Sequence, residues 1–348
     1  MAQDIVNWLL FGCFYAAIGL GFSLIWGIMN IVNIAQGSLV ILGAYVAYWA
    51  VAALHLNPFV ALVVAMVVLF VIGYLIQYLA INRVIRAPFL VTLMLTFGLD
   101  LLIVNSLQYF FKADNRSINT PYLGMHFTIF GATQSIQVLL NAVIAIALTG
   151  GLALLLARTR TGNAILAVGM DRDAARLMGI NVARIYALTF GIGAALAGAA
   201  GALLAMSLQF SPLDSGTYTF YAFVIVALGG LGTPWAALAG GMLFGFAEVF
   251  GPHLPHVGYG LDLAIALVVL VLVLIVRPNG LLGRPFYSYG GGCGTKLSRH
   301  RRRAWQSRPA REPRVALVAR HRRRHPRRHW YRRASAGRSL RHPHLDEH

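Results

Sequence analysis

Formal charge is what this chain has least of, and cysteine is nearly as rare. Only 11% of its 348 residues are Asp, Glu, Lys or Arg, against about 25% in an ordinary soluble domain. The two cysteines, Cys13 in an apolar run and Cys293 far downstream, exclude a disulfide framework and a cysteine zinc site. Hydrolytic signatures are missing: there is no H-E-x-x-H, no G-x-S-x-G and no C-x-x-C. The phosphate-binding string G-x-x-x-x-G-K-[ST] is missing too. The nearest approach, "GGGCGTK", leads into an Arg-rich run rather than a helix. The chain is therefore expected to be no enzyme, to carry no catalytic residue or metal, and to hold no cofactor or ATP site of its own. The opening "MAQDIVNWLLFG" lacks a basic region and a clear cleavage site, so the first apolar run is expected to stay as a span.

What is present is apolar surface. The chain is 58% hydrophobic with a mean hydropathy of +0.68. The little charge is unevenly placed. Residues 1–286 hold 11 Lys/Arg and 8 Asp/Glu, whereas 287–348 hold 18 and 3. Two regions follow: a nearly neutral membrane domain, 1–286, and an Arg/His-rich tail, 287–348, too charged to pack. A helix needs about 20 apolar residues to cross a bilayer core about 30 Å thick. Candidate spans are 5–27, 37–54, 59–81, 89–111, 135–157, 185–206, 218–232, 235–251 and 261–276. The fold class is all-α, a polytopic transmembrane helical bundle of about eight to nine spans. The seventh and eighth are short, and periodicity leaves open whether they are tilted spans or broken helices. So many successive runs without a polar face exclude a soluble helical protein.

Arginine in short loops sets orientation. Arg83 and Arg86, then Arg158, Arg160, Arg172, Arg176 and Arg184, then Arg277 and Arg284 fall on one side if the spans are right. That side is expected to be cytoplasmic, with the N-terminus outside and the C-terminus inside. Trp8, Trp26 and Trp49 stand near span ends, where interfacial anchors belong.

Polar residues at membrane depth need partners that lipid does not supply. Asn30, Asn33 and Gln36 fall in a break between the first two runs. Either they line a path for a polar solute, or they cap helix ends and join helices. Gly229, Gly230 and Gly232, followed by Pro234, interrupt "ALGGLGTPW". They form either exposed backbone along a path or a tight turn. The two breaks echo each other, each an apolar run, an interruption and a helix rich in small residues. Gly240, Gly241 and Gly245 read as a packing seam. Among the carboxylates near the spans, Glu248 is the leading path candidate, with Asp100 and Asp262 behind it.

One stretch breaks the apolar pattern. "GMDRDAARLMGINVARI", Gly169 to Ile185, packs five charges into seventeen residues. "RDAARLMGI" predicts a short helix, with Asp173 serving its N-terminus and Gly179 ending it in a left-handed turn. Leu177 and Ile180 offer a small apolar face that a peripheral partner could grip. The bland alternative is a charged loop that only fixes topology.

At these residues a resemblance appears. "GFSLIWGIMNIVNIAQGSLVILGAYVAY", "DRDAARLMGINVARIYALTFGIGAALAGAAGAL", "ALGGLGTPWAALAGG" and "RPNGLLG" resemble, in order, segments of the LivH-type permeases of bacterial branched-chain amino acid ABC transporters. The resemblance covers most of 1–284. It implies an inner-membrane subunit that forms the translocation path of an ATP-driven importer. It also implies a second permease subunit, two ATP-binding subunits and a periplasmic or extracellular solute-binding protein as partners. Asp173, Ala174, Ala175 and Gly179 match the spacing of that family's "EAA…G" loop, with Asp in place of Glu. The resemblance makes this stretch the ATPase-coupling loop, its small alanines letting the helix sit close to the partner. The solute it implies is leucine, isoleucine or valine, or a related small polar solute such as urea or an amide.

The tail departs from that pattern. Seventeen of its eighteen basic residues are arginine. Anionic lipid or RNA would suit such a tail, but a shifted reading frame in a GC-rich gene also yields Arg, Ala, Pro and Gly. A nucleic-acid-binding protein would leave nine spans unexplained. A secondary transporter or channel without an ATPase is the remaining alternative.

Overall fold

The computed structural model describes residues 2–84, 88–120, 125–129, 132–251, 262–277 and 280–282. The tail 287–348, Arg86, Arg284 and the side chain of Asp262 lie outside the described residues. The first half holds α1 (Ala2–Met29), α2 (Gln36–Leu54), α3 (Pro58–Ile76) prolonged through a π-turn into α4 (Asn82–Val84), and α5 (Phe89–Phe111). A hairpin of β1 (His126–Ile129) and β2 (Ala132–Ser135) leads into α6 (Ile136–Arg158), α7 (Arg160–Met170) and α8 (Arg172–Leu177). Then come α9 (Val182–Ser207), α10 (Ser215–Gly229), α11 (Pro234–Phe250) and α12 (Asp262–Val276).

Six of these are long and apolar enough to cross a membrane: α1, α2, α3–α4, α5, α6 and α9. The expected all-α, multi-spanning fold is therefore the one observed. Helices α10 and α11 reach that standard only as a pair, bent by 110° at the break between them. At 15 and 17 residues they are about 22 and 26 Å long, less than a bilayer core. The pair is two short apolar helices meeting at a sharp break.

Contacts sort the loops into two ends. At one end Gly169 meets Ile28, Gly27 meets Gly232, and Gly280 meets Gly230. Asn82 Nδ2 also donates to Ala183 O at this end. Arg83, Arg158, Arg160, Arg172, Arg176, Arg184 and Arg277 belong to these loops. At the other end Arg116 and Phe210 exchange backbone hydrogen bonds at 2.9 Å, and Asn141 Nδ2 bonds Leu203 O. The pair α10–α11 leaves this second end, reaches the arginine end at its break, and returns: Trp8, in the first third of α1, donates to Met242 O at 2.7 Å and packs edge-on against Phe250. The three arginine-bearing loops thus share one end, as their charge required.

The hairpin was not expected from the sequence. It pairs antiparallel, His126 with Ser135 through Ile129 with Ala132. Gln3 fastens it to α1, donating to Thr133 O at 3.1 Å and accepting from Thr133 N at 3.0 Å. Trp49 is exposed, as an interfacial anchor should be. Trp26 instead stacks on Phe223, so it is a packing residue.

Helix α9 is the core. It packs against α1, α2 and α3 through residues without side-chain bulk. A Cβ at Gly201 would lie 1.9 Å from Val40 O, and one at Gly43 would lie 2.4 Å from the Gly198 Cα. Lipid supplies no hydrophobic drive between helices, so close backbone approach is what gains dispersion contact here. The seam expected at Gly241 and Gly245 is present as well, against Ala16 and Gly12 of α1.

Candidate functional site

The first break is a short non-helical stretch between α1 and α2. Asn30 ends α1 in a left-handed conformation, φ 53°, which asparagine tolerates better than most residues. It is exposed at the arginine end, apart from the other two amides. Asn33 and Gln36 are fully buried. Two threonines from other helices clamp the segment that carries them. Thr219 of α10 accepts from Gly37 N at 2.9 Å and donates to Ile34 O at 3.0 Å. Thr96 of α5 shares its hydroxyl proton between Leu93 O of its own helix at 3.0 Å and Val32 O at 3.3 Å. Despite that framework, all four side-chain amide atoms of Asn33 and Gln36 are without hydrogen-bond partners among the described residues. Buried polar atoms are nearly always satisfied, and leaving one unmade costs about 1–3 kcal/mol. No hydrogen bond from these two amides to another helix is seen among the described residues.

The second break turns on Gly230 and Gly232, at φ 101° and 87°, conformations that a Cβ disfavours. Thr233 then caps α11, accepting from Ala236 N, with Pro234 preset at the first helical position. The chain after α12 closes over the break: Leu281 N donates to Leu228 O and Leu282 N to Gly229 O. Ser23 of α1 lines a pocket of about 10 Å³ beside Gly232, Thr233 and Pro234, large enough for about one water.

Glu248 leaves α11 toward α1, where Tyr15 Oη donates to its Oε1 at 2.5 Å. Phe244 and Tyr221 pack edge-on to the Tyr15 ring. The path candidates therefore do not share one cavity. The segment carrying Asn33 and Gln36 meets α10 near its start, where Thr219 bonds the backbone of Ile34 and Gly37. Gly229 ends the same helix ten residues on, roughly 15 Å away. Glu248 stands between α1 and α11. A larger cavity, about 490 Å³, opens between α2, α3 and α5 and is lined by Leu42, Tyr45, Trp49, Leu54, Leu107 and Phe111 among others. None of the path candidates lines it.

The charged loop folds as a helix. Asp171 is its N-cap, accepting from Asp173 N at 2.9 Å and Ala174 N at 3.0 Å. Asp173 stands in the first turn, where a carboxylate suits the helix N-terminus, and pairs with Arg176 on the surface at 3.7 Å. Gly179 ends the helix at φ 81°. The bonds Gly179 N to Arg176 O and Ile180 N to Ala175 O complete a Schellman stop. Ala174 is exposed, but Ala175 is only 5% exposed and packs within the chain, so it does not face outward. The outward apolar groups are Leu177, 89% exposed, with Met178 and Met170 beside it. The reason is geometric: a six-residue helix has one face for the chain and one for solvent, and residues 175 and 177, two positions apart, point to opposite faces.

The sequence reading missed Asp171, Thr96 and Thr219. Asp171 was legible as an acid directly before a helical run. The threonines, each alone in an apolar stretch, gave only the weak signal of a hydroxyl in a span.

Comparison with known proteins bears directly on these features. Residues 4–276 match the family described as the branched-chain amino acid transport system permease component. The chain belongs to this family. It is 32% identical over 298 residues to the high-affinity branched-chain amino acid transport system permease protein BraD of Pseudomonas aeruginosa, covering 81% of this chain and 96% of that protein. It is 30% identical over 301 residues to the permease protein LivH of Escherichia coli, with the same coverage. A probable branched-chain amino acid permease of Methanocaldococcus jannaschii is 26% identical over 238 residues, 66% of this chain and 75% of that protein. No solved structure matches. The permease relatives and the apolar helices together make this a multi-pass membrane protein and a transport subunit.

Proposed function

We propose that this chain forms the translocation path of an ATP-driven importer of branched-chain amino acids in the bacterial inner membrane. It works beside a second permease subunit, two ATP-binding subunits that use the ATP, and an external solute-binding protein. The chain itself holds no cofactor. The arginine-bearing end faces the cytoplasm, the end where basic loops are retained, so the N-terminus lies outside. One observation carries the reading: Asn33 and Gln36 are fully buried at a break between two spans, with unsatisfied donors and acceptors. A solute passing through lipid-bounded protein needs such groups, and a packed bundle does not.

Asp171 to Ile180 is the coupling loop. Its support is a capped, glycine-stopped helix with Leu177, Met178 and Met170 turned out among arginines. Exposed apolar groups beyond the membrane end mark a contact surface. The test of the path is Asn33→Leu and Gln36→Leu in the complete transporter. Leucine uptake is expected to fall at least tenfold while membrane levels and ATPase capture hold. Wild-type uptake in both variants would remove these residues from the path.

A further inference from the structure

We propose that Asp100 is part of the solute site at the first break and receives the ammonium group of an α-amino acid in transit. This rests on the importer reading above.

Asp100 is the only formal charge in α5, and neither α1 beyond Asp4 nor α2 has any. A carboxylate halfway along a 23-residue apolar helix is costly unless it faces protein or solute. The fold turns it toward the break. Thr96 bonds Val32 O, and Asp100 lies four residues on, one helical turn along the same face. The residue beside its carboxyl is Ser38, two positions after Gln36. Ser38 Oγ lies within hydrogen-bonding reach of the carboxyl and donates to Ala35 O at 3.0 Å. Asp100 Oδ1 is left buried without a hydrogen bond among the described residues. Asp100 therefore stands against the short segment, 32–38, that carries both unsatisfied amides.

The three groups differ in what they can bind. The carboxylate accepts only and is negative. The amides of Asn33 and Gln36 each offer two donors and an acceptor without charge. A zwitterion fits that set: its ammonium meets Asp100, and its carboxylate takes the amide donors. A neutral solute such as urea would leave the aspartate uncompensated, and an anion would be repelled. Asp100 therefore selects for charge type, whereas the amides alone would accept many polar solutes.

The experiment uses the complete transporter in proteoliposomes with its leucine-loaded binding protein, reading leucine uptake and ATP hydrolysis together. Asp100→Asn keeps the shape and removes the charge. Asp100→Glu keeps the charge. The expected result is at least a tenfold fall in uptake for Asp100→Asn, with hydrolysis continuing so that ATP used per leucine rises about tenfold. Asp100→Glu should retain a third or more of wild-type uptake. Thermal stability and ATPase capture should be unchanged in both. Wild-type uptake by Asp100→Asn overturns the assignment and leaves the importer reading standing. Equal failure of both variants with lost thermal stability also overturns it, because Asp100 would then serve packing. If the wild-type protein moves no leucine, the importer reading fails first and this assignment falls with it.

Discussion

Helices α9 and α5 are similar in length and apolar character, yet 89% of the most apolar stretch of α9 is buried and only 17% of that of α5. Hydropathy does not separate them, because both environments are apolar. Side-chain size does. Helix α9 contains Gly191, Gly193, Gly198 and Gly201 among alanines, and α1, α2 and α3 come within backbone contact of it. Helix α5 carries Leu, Phe and Met on its exposed side, and at its single glycine, Gly98, nothing lies within 4 Å of where a Cβ would stand. In a bilayer the centre of a bundle is where backbones can touch.

The sharpest break of that contrast is Gly201→Leu. Its first added carbon would lie 1.9 Å from Val40 O and 2.7 Å from Ala44 N, both backbone, so no rotamer relieves the clash. Overpacking a core with side chains able to shift costs about 1–3 kcal/mol, and here the backbone must move instead. Folded protein in the membrane is expected to fall at least tenfold. Gly98→Leu in α5 should accumulate normally. Size-exclusion profiles of detergent extracts compare the two, and equal monodisperse yields would show that α9 is not the core its burial indicates.

A middle-sized effect belongs to the coupling loop, where buried and exposed residues are only two positions apart. Leu177→Asp and Met178→Asp alter outward groups, so accumulation should hold while co-purification of the ATP-binding subunits falls about fivefold. Gly179→Val forces a β-branched residue into φ 81°, at about 1–2 kcal/mol, and should weaken the same capture by loosening the helix stop. Ala175→Trp should fail differently, lowering permease stability itself, because Ala175 is buried in its own chain. Arg158→Gln and Arg160→Gln, outside the helix, should change capture less than twofold. Outward variants that capture ATPases normally would reduce the loop to a topological anchor.

These contrasts show what could be read in advance. Long apolar runs matched the six long helices within a few residues, because the length of a run is a local property. Gly179 was legible for the same reason. The β-hairpin was not, since "HFTI" and "ATQS" are too short to alternate clearly and owe their place to Gln3, about 130 residues away. Whether partners reach Asn33 and Gln36 depends on how the helices pack, which a sequence does not show. Asp100 ranked below Glu248 because a sequence does not show which face of α5 meets the break. Ala175 pointed the wrong way because composition cannot distinguish the two faces of a six-residue helix.

The smallest effect tests the periphery. On α6, nothing lies within 4 Å of where a Cβ would stand at Gly150 or Gly151, although glycine in a membrane helix commonly marks a close crossing. If both face lipid, Gly151→Ala should leave uptake within twofold of wild type and should not lower thermal stability, since alanine is the better helix former by roughly 1 kcal/mol in water. Gly151→Leu should be equally silent, because lipid yields to a larger side chain where protein does not. The two variants separate the cases. Silence in both makes α6 a peripheral helix like α5, and glycine there a residue without a packing role. Tolerance of alanine with loss of assembly on leucine would mean that another subunit covers this face, and that the contrast between core and periphery drawn within one chain shifts when the second permease is in place. Cross-linking the permease pair in each variant, beside the uptake measurement, reads that difference directly.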